Sequence, residues 1–125
     1  MKNENIKLMI ATMIVDGKLF IDEFELIKVF KAITEVDDKI YDELTNEAKE
    51  IISCGYDASQ RYDAVINWSQ PALDTLLVMN DPAVCRVVIS NMILVANADG
   101  NLTDIEIDFI EYCAMFLDIS VPKLR

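Results

Sequence analysis

Apolar residues recur at intervals of three and four along almost the whole chain, which is the spacing of an amphipathic helix. In the first segment the recurring residues are Ile6, Met9, Ile10 and Met13. No run of four to eight residues alternates between apolar and polar side chains, so no strand is predicted. We therefore expect an all-α fold, a compact bundle of about six to seven helices. A length of 125 residues suits one domain, to which we assign residues 1–125.

Capping residues and helix breakers set the predicted boundaries. Asp37 or Asp38 opens the third helix and Gly55 stops it. Asp57 caps the fourth helix, and Asp81 followed by proline opens the fifth. Pro71 predicts a kink or break within the fourth, because proline lacks a backbone donor and clashes with the preceding turn. The predicted helices span about 3–15, 21–34, 38–54, 58–80, 82–98 and 104–116, with one further short turn in the tail.

Charge and the lack of histidine exclude several classes of function. The chain carries 22 acidic and 11 basic residues, a net charge of −11, and contains no histidine. This charge repels nucleic-acid phosphates and anionic membrane surfaces, so we expect neither as a partner. Without imidazole there is no His-ligated zinc site and no serine or cysteine nucleophile paired with histidine. Cations and basic protein surfaces remain, and we expect a protein partner.

The cysteines and the N-terminus bear on the cellular compartment. Cys54, Cys85 and Cys113 lie far apart and form no CxxC pair, so neither a disulfide framework nor a thiolate zinc site is indicated. Apolar neighbours predict that all three are buried. The N-terminal stretch lacks the features of a signal peptide, and no window approaches the ~18 uninterrupted apolar residues of a membrane span. We expect a cytoplasmic protein without membrane insertion, monomeric or weakly dimeric.

One acidic motif occurs twice. The sequence DGKL at 16–19, followed by Glu23, recurs 83 positions later as DGNL at 99–102, followed by Glu106. The flanking apolar residues match as well, so each copy has the pattern of an apolar helix, an Asp-Gly turn and a second amphipathic helix. We interpret residues 6–34 and 89–117, approximately, as an internal helix-turn-helix duplication.

This motif predicts a cluster of carboxylates. Its glycine ends the first helix, its aspartate lies in the corner before that glycine, and its glutamate falls in the first turn of the next helix. If the copies pack about an approximate two-fold axis, four carboxylates converge and require a cation, protons or basic side chains nearby. Calcium or magnesium is the natural ion for such oxygen ligands. The predicted metal ligands are Asp16, Glu23, Asp99 and Glu106.

A purely structural interpretation explains part of the same pattern. The sequence TDIE at 103–106 is a capping box, in which Glu106 reaches back to the backbone amide of Thr103. The first copy has Phe20 at the position equivalent to Thr103, so Glu23 lacks this role. Both aspartates can bond their own local amides, as turn residues do.

The motif also matches the second half of a calcium-binding EF-hand loop, with Asp at the fifth position and Glu at the last. The first half does not match, because Thr12 and Val95 stand at the first ligand position. We therefore do not expect an EF-hand.

The stretches VDGKLFIDEFELIKVFKAI and VANADGNLTDIEIDFIEYCAMFLDIS resemble the two signature stretches of TerB-like proteins, the tellurite-resistance B family whose fold also occurs at the start of DjlA-type co-chaperones. The resemblance covers nearly the whole chain, and the second copy matches better, because the first has Val15 for a small residue and Phe20 for Ser, Thr or Asp. It implies a cytoplasmic bacterial helical domain with an acidic surface for divalent metal, acting in stress-response or envelope-linked complexes. The family's acidic residues correspond here to Asp16, Glu23, Asp99 and Glu106, with Asp22 and Asp104 as outer members.

Three classes of function follow from these observations. We favour a non-catalytic interaction module that binds a divalent cation; the alternatives are a structural adaptor with no ligand and a carboxylate- or metal-dependent enzyme. We expect no enzyme, since no nucleophile is paired with a base.

Two further features have two interpretations each. Arg61 or Arg86 either pairs with nearby acids or neutralises the acidic cluster in place of a metal. Tyr56, Tyr62 and Trp68, with Pro71 close by in sequence, form either a partner-binding surface patch or core and rim packing.

Overall fold

The computed structural model describes residues 2–18 and 21–124, and these residues form six helices and no strand. The all-α bundle predicted from apolar spacing is thus confirmed. None of the helices in the described part is both long and apolar enough to span a bilayer. The helices are α1 (Lys2–Ile14), α2 (Ile21–Thr34), α3 (Asp38–Ser53), α4 (Ala58–Met79), α5 (Pro82–Ala96) and α6 (Asp104–Phe116). The short turn expected in the tail lies at residues 117–118, and residues 119–124 after it are irregular.

Four helices begin at the side-chain caps that the sequence predicted. Asp37 Oδ1 accepts a hydrogen bond from the Lys39 amide, and Asp81 Oδ1 accepts from the amide two residues ahead of it. Asp57 and Thr103 both form complete capping boxes. Each such cap stabilises its helix by about 1 kcal/mol, because it satisfies a backbone donor that the helix itself leaves without a partner.

The first helix, α1, is the centre of the bundle and packs against all five others. From Leu8 to Ile14 every residue but Thr12 is apolar, and a segment that is apolar on all sides belongs in the core. Its one buried amide side chain is satisfied, because Asn91 on α5 donates to the Asn5 Oδ1 at 3.0 Å. The helix ends at Ile14 and leads directly into the first Asp-Gly turn. Its buried residues are Asn5, Ile6, Leu8, Met9, Ile10, Ala11, Thr12, Met13 and Ile14.

The fourth helix continues through Pro71 and is 22 residues long. The break predicted at that residue is therefore wrong. A proline in a helix interior costs about 3 kcal/mol. Leu73 and Leu76 beyond it are fully buried, and each contributes about 1.5–3 kcal/mol through burial of its side chain. Val65 is buried on the other side of the proline, so tertiary packing holds both halves in one helix.

The cysteines divide between core and surface. Cys85 and Cys113 are buried as predicted, and burial raises the pKa of both thiols. Cys54 is exposed, which corrects the prediction that all three are buried. The reason is local: α3 ends at Ser53, and residues 53–60 form an exposed link into α4.

Candidate cation site

The first acidic turn is fixed by two hydrogen bonds at the end of α1. Gly17 has a φ of +81°, a left-handed conformation that glycine adopts without strain, and its amide donates to the Ile14 carbonyl at 2.9 Å. Asp16 Oδ1 accepts from the Lys18 amide at 3.0 Å. The other oxygen of this carboxylate, Oδ2, is buried and has no hydrogen-bond partner.

The second acidic turn has the same pattern at the end of α5. Gly100 has a φ of +78°, and its amide donates to the Asn97 carbonyl at 2.9 Å. Asp99 Oδ1 accepts from the Asn101 amide at 2.9 Å. Both aspartates therefore do what the structural interpretation predicted, since each bonds a local amide. One oxygen of each carboxylate is occupied in this way.

The two glutamates lie in the first turns of α2 and α6 and are both buried, with exposed fractions of 0% for Glu23 and 1% for Glu106. Glu106 Oε1 accepts from the Thr103 amide at 3.0 Å and from the Thr103 hydroxyl at 2.8 Å, which confirms the capping box. Its Oε2 has no partner. Glu23 differs, because neither of its oxygens has a hydrogen-bond partner among residues 2–18 and 21–124. Phe20, the residue expected to leave Glu23 without a cap, lies outside the described residues.

The four acids act on one another electrostatically, so the fold brings both motif copies to one place. Burial, together with the nearby charges of Glu106, Asp16 and Asp99, raises the pKa of Glu23 to about 9. Burial also raises the pKa of Glu106. The hydrogen bonds from Thr103 lower this pKa, and the charges of Asp16 and Asp99 raise it further. At neutral pH, Glu23 therefore holds a proton that an exposed glutamate would have lost.

The cluster offers a cation four carboxylate oxygens that are buried and lack partners. They are Asp16 Oδ2, Glu23 Oε1, Glu23 Oε2 and Glu106 Oε2. Within residues 2–18 and 21–124, however, no three carboxylate or thiolate side chains are already arranged around a point that could hold a metal ion. Coordination would thus require the carboxylates to rotate toward one another.

An EF-hand loop is absent from both turns. Thr12, at the first ligand position of such a loop, is inside α1 and its hydroxyl donates to the Leu8 carbonyl at 2.8 Å. Val95, the equivalent residue of the second copy, is buried inside α5. Helical backbone occupies the place of the first half of the loop, as the missing ligands predicted.

A basic side chain from a distant helix lies at the first turn. Arg61 on α4 donates from Nε to the Val15 carbonyl at 3.1 Å. Its guanidinium reaches over Gly17. Burial raises the pKa of Asp16, and the amide and charge of Lys18, together with the charge of Arg61, oppose this rise. Arg86 is exposed on α5, so Arg61 is the arginine that counters the cluster. Its contact with residue 15 spans 46 positions, and no local signal in the sequence could have shown it.

The remaining predicted residues lie outside this buried cluster. Asp22 and Asp104, the outer members implied by the resemblance, are exposed. Of the aromatic residues, Tyr56 is exposed, whereas Tyr62 and Trp68 pack partly buried against the core. The Trp68 indole donates to Glu47 Oε1 at 2.8 Å. The rings therefore follow the core-and-rim interpretation rather than forming one exposed patch.

Comparisons with known proteins found no relative of this chain. The chain matches no family model, no curated protein and no solved structure. The resemblance to TerB-like proteins accordingly rests on the residues of the two acidic motifs alone.

Proposed function

We propose that this protein is a non-catalytic interaction module whose state depends on a divalent cation, calcium or magnesium, held by Asp16, Glu23, Asp99 and Glu106. The observation that carries the proposal is Glu23, a fully buried carboxyl group whose oxygens find no hydrogen-bond partner in the described part of the chain. A buried polar group without a partner costs about 1–3 kcal/mol. A group of this kind, among three other carboxylates, favours a ligand that supplies positive charge.

Proton and cation compete for this cluster. Without an ion, the repulsion between carboxylates is relieved by a proton on Glu23, whose pKa of about 9 keeps it neutral. A divalent ion would replace that proton and draw oxygens of both acidic turns to one point. Because the turns join α1 to α2 and α5 to α6, binding would couple the two halves of the bundle and alter the acidic surface presented to a partner.

The cellular setting of the proposal comes from the resemblance to TerB-like proteins. It assigns the chain to the bacterial cytoplasm and to a stress-response or envelope-linked complex with another protein. The net charge of −11 favours a partner with a basic surface over nucleic acid. We propose a monomer or weak dimer as the solution form.

Thermal unfolding with and without ions tests the cation site. The wild-type protein is melted in EDTA and then in millimolar calcium or magnesium, with ionic strength matched by KCl. At an ion concentration 100 times the Kd, binding adds about 2.7 kcal/mol to the free energy of unfolding, or about 10 °C in Tm for a chain of this size. Glu23→Gln and Glu106→Gln should both lose this response, because each removes a ligand from the same ion.

Asp22→Asn is the matched control, because it removes one negative charge from the exposed neighbour of Glu23. It should keep the full ion response. A wild-type Tm that no divalent ion changes would contradict the proposal and favour the structural adaptor, in which Arg61 and a proton balance the cluster. An equal loss of response in Asp22→Asn would also contradict it, because the ions would then be acting by general charge screening.

A further inference from the structure

A groove between α2 and α3 is rich in lysine, although the protein as a whole is strongly acidic. It is lined by three of the eight lysines in the chain, Lys28, Lys31 and Lys49. Asp42 is the one acid in the lining, and its charge acts on Lys31. The groove has a volume of about 480 Å³. Small-molecule sites fall in the range of roughly 300–1,000 Å³.

Two of these lysines are already engaged. Lys28 Nζ lies 5.1 Å from the centre of the Phe24 ring and 4.0 Å from Glu25. Lys31 forms an ion pair with Asp38 and lies 5.4 Å from the centre of the Tyr41 ring.

Lys49 differs from the other two lysines. Its ammonium group makes no ion pair or hydrogen bond with any residue of the described ranges. It is exposed on α3, at the rim of the groove. The groove therefore contains one ammonium group whose charge is available to a ligand.

The floor of the groove is apolar. Beneath it lies a void of about 10 Å³ lined by Ile10, Met13, Ile27 and Ala48, with room for little more than one water molecule. The void and the groove share Phe24, Tyr41, Thr45 and Lys49 in their linings, so the two are neighbours. A ligand thus meets aromatic and aliphatic groups below and ammonium groups at the rim.

We propose that this groove binds a small amphipathic anion, a molecule with one aromatic ring or short apolar chain and one carboxylate or phosphate. Its anionic group pairs with Lys49 at the rim, and its apolar part lies against Phe24 and the apolar floor. Charge selects the class of ligand, because the Lys49 ammonium group attracts an anionic group and repels an amine of the same shape. The groove shares no residue with the carboxylate cluster, so this proposal does not depend on the proposed cation site.

Titration followed by two-dimensional NMR tests the groove with three probes of similar size. They are 3-phenylpropionate, phenyl phosphate and the cation phenethylammonium. We expect at least one of the two anions to shift the amide signals of residues 24–32 and 41–49 with a Kd below about 1 mM. Comparison of the two anions shows which anionic group the groove prefers. Phenethylammonium should bind at least tenfold more weakly than the better anion.

Two variants and one control locate the binding. Lys49→Gln should weaken binding of the anion about fivefold, and this loss should shrink at high salt because the charge is exposed. Lys39→Gln makes the same change at an exposed lysine of α3 outside the groove lining and should leave binding unchanged. Ala32→Trp fills the groove from an exposed position without changing its charge and should abolish binding.

Failure of both anions to bind below 10 mM would overturn the proposal. So would equal binding of phenethylammonium, or equal affinities of the Lys49→Gln and Lys39→Gln variants.

Discussion

Replacing Glu23 with glutamine should change how the stability of this protein depends on pH. Glutamine has the shape of a protonated glutamate but cannot ionise, so the variant removes one titration and little else. Glu23 is fully buried, and its pKa rises from 4.5 to about 9 through burial and three neighbouring carboxylates. Any difference in pH dependence between the two proteins therefore reports the titration of this one group.

The sign of the effect follows from proton binding. An acid with a raised pKa is protonated in the folded state and ionised in the unfolded chain across the interval between the two pKa values. The contribution of Glu23 is therefore fully present below pH 4.5 and is lost as pH rises toward about 9. Each pH unit in that interval costs the wild type about 1.4 kcal/mol relative to the variant. Between pH 4.5 and 7 the accumulated difference is about 3 kcal/mol in favour of glutamine.

Urea unfolding at 25 °C in EDTA, followed by circular dichroism at half-unit steps from pH 5 to 8, measures this difference. EDTA is needed because a bound cation would stabilise the ionised carboxylate and hide the effect. Asp22→Asn serves as the control, because the exposed aspartate beside Glu23 should leave the pH profile parallel to that of the wild type. A constant difference between Glu23→Gln and wild type from pH 5 to 8 would refute the reasoning, since it would mean that Glu23 ionises normally in the fold.

Two further predictions concern the turns and the thiols. Gly100→Ala should lower the free energy of unfolding by about 1 kcal/mol through its left-handed φ alone, since no atom lies within 4 Å of the new Cβ. Gly17→Ala should cost about 1 kcal/mol more in urea unfolding, because its Cβ would lie 2.7 Å from Arg61 Cζ and displace the hydrogen bond from Arg61 to Val15. In an Arg61→Ala background the two glycine variants should lower the free energy of unfolding equally. A difference that persists in that background would contradict this explanation. In a thiol titration of the folded protein, Cys54 should react at once, whereas Cys85 and Cys113 should react only after unfolding. Rapid reaction of more than one thiol would contradict the burial of Cys85 and Cys113.

The helices and their caps were predictable because their causes are local. Asp37, Asp57, Asp81 and Thr103 each bond an amide two or three residues ahead, so the sequence around each cap contains both partners. The course of α4 through Pro71 was not predictable in this way. It depends on burial against α1, which lies more than fifty residues earlier in the chain.

The members of the candidate site were predictable from the repeated motif, but their chemical state was not. The spacing of Asp and Glu around each turn follows from how a helix ends and the next begins. The lack of a partner for Glu23 among the described residues depends on how distant helices pack, and so does the approach of Arg61 to the first turn. No local sequence pattern predicts either of these two features.

The central position of α1 has a consequence for how the protein is made. During synthesis this helix leaves the ribosome first, yet the residues that cover it, such as Leu73, Leu76 and Met92, follow some sixty to eighty residues later. The hydrogen bond between Asn5 and Asn91 spans 86 positions. Contacts so distant along the chain slow folding, because a long loop must close before they form. Until α4 and α5 emerge, part of this buried helix is uncovered, and the apolar side chains that it exposes favour aggregation of the nascent chain.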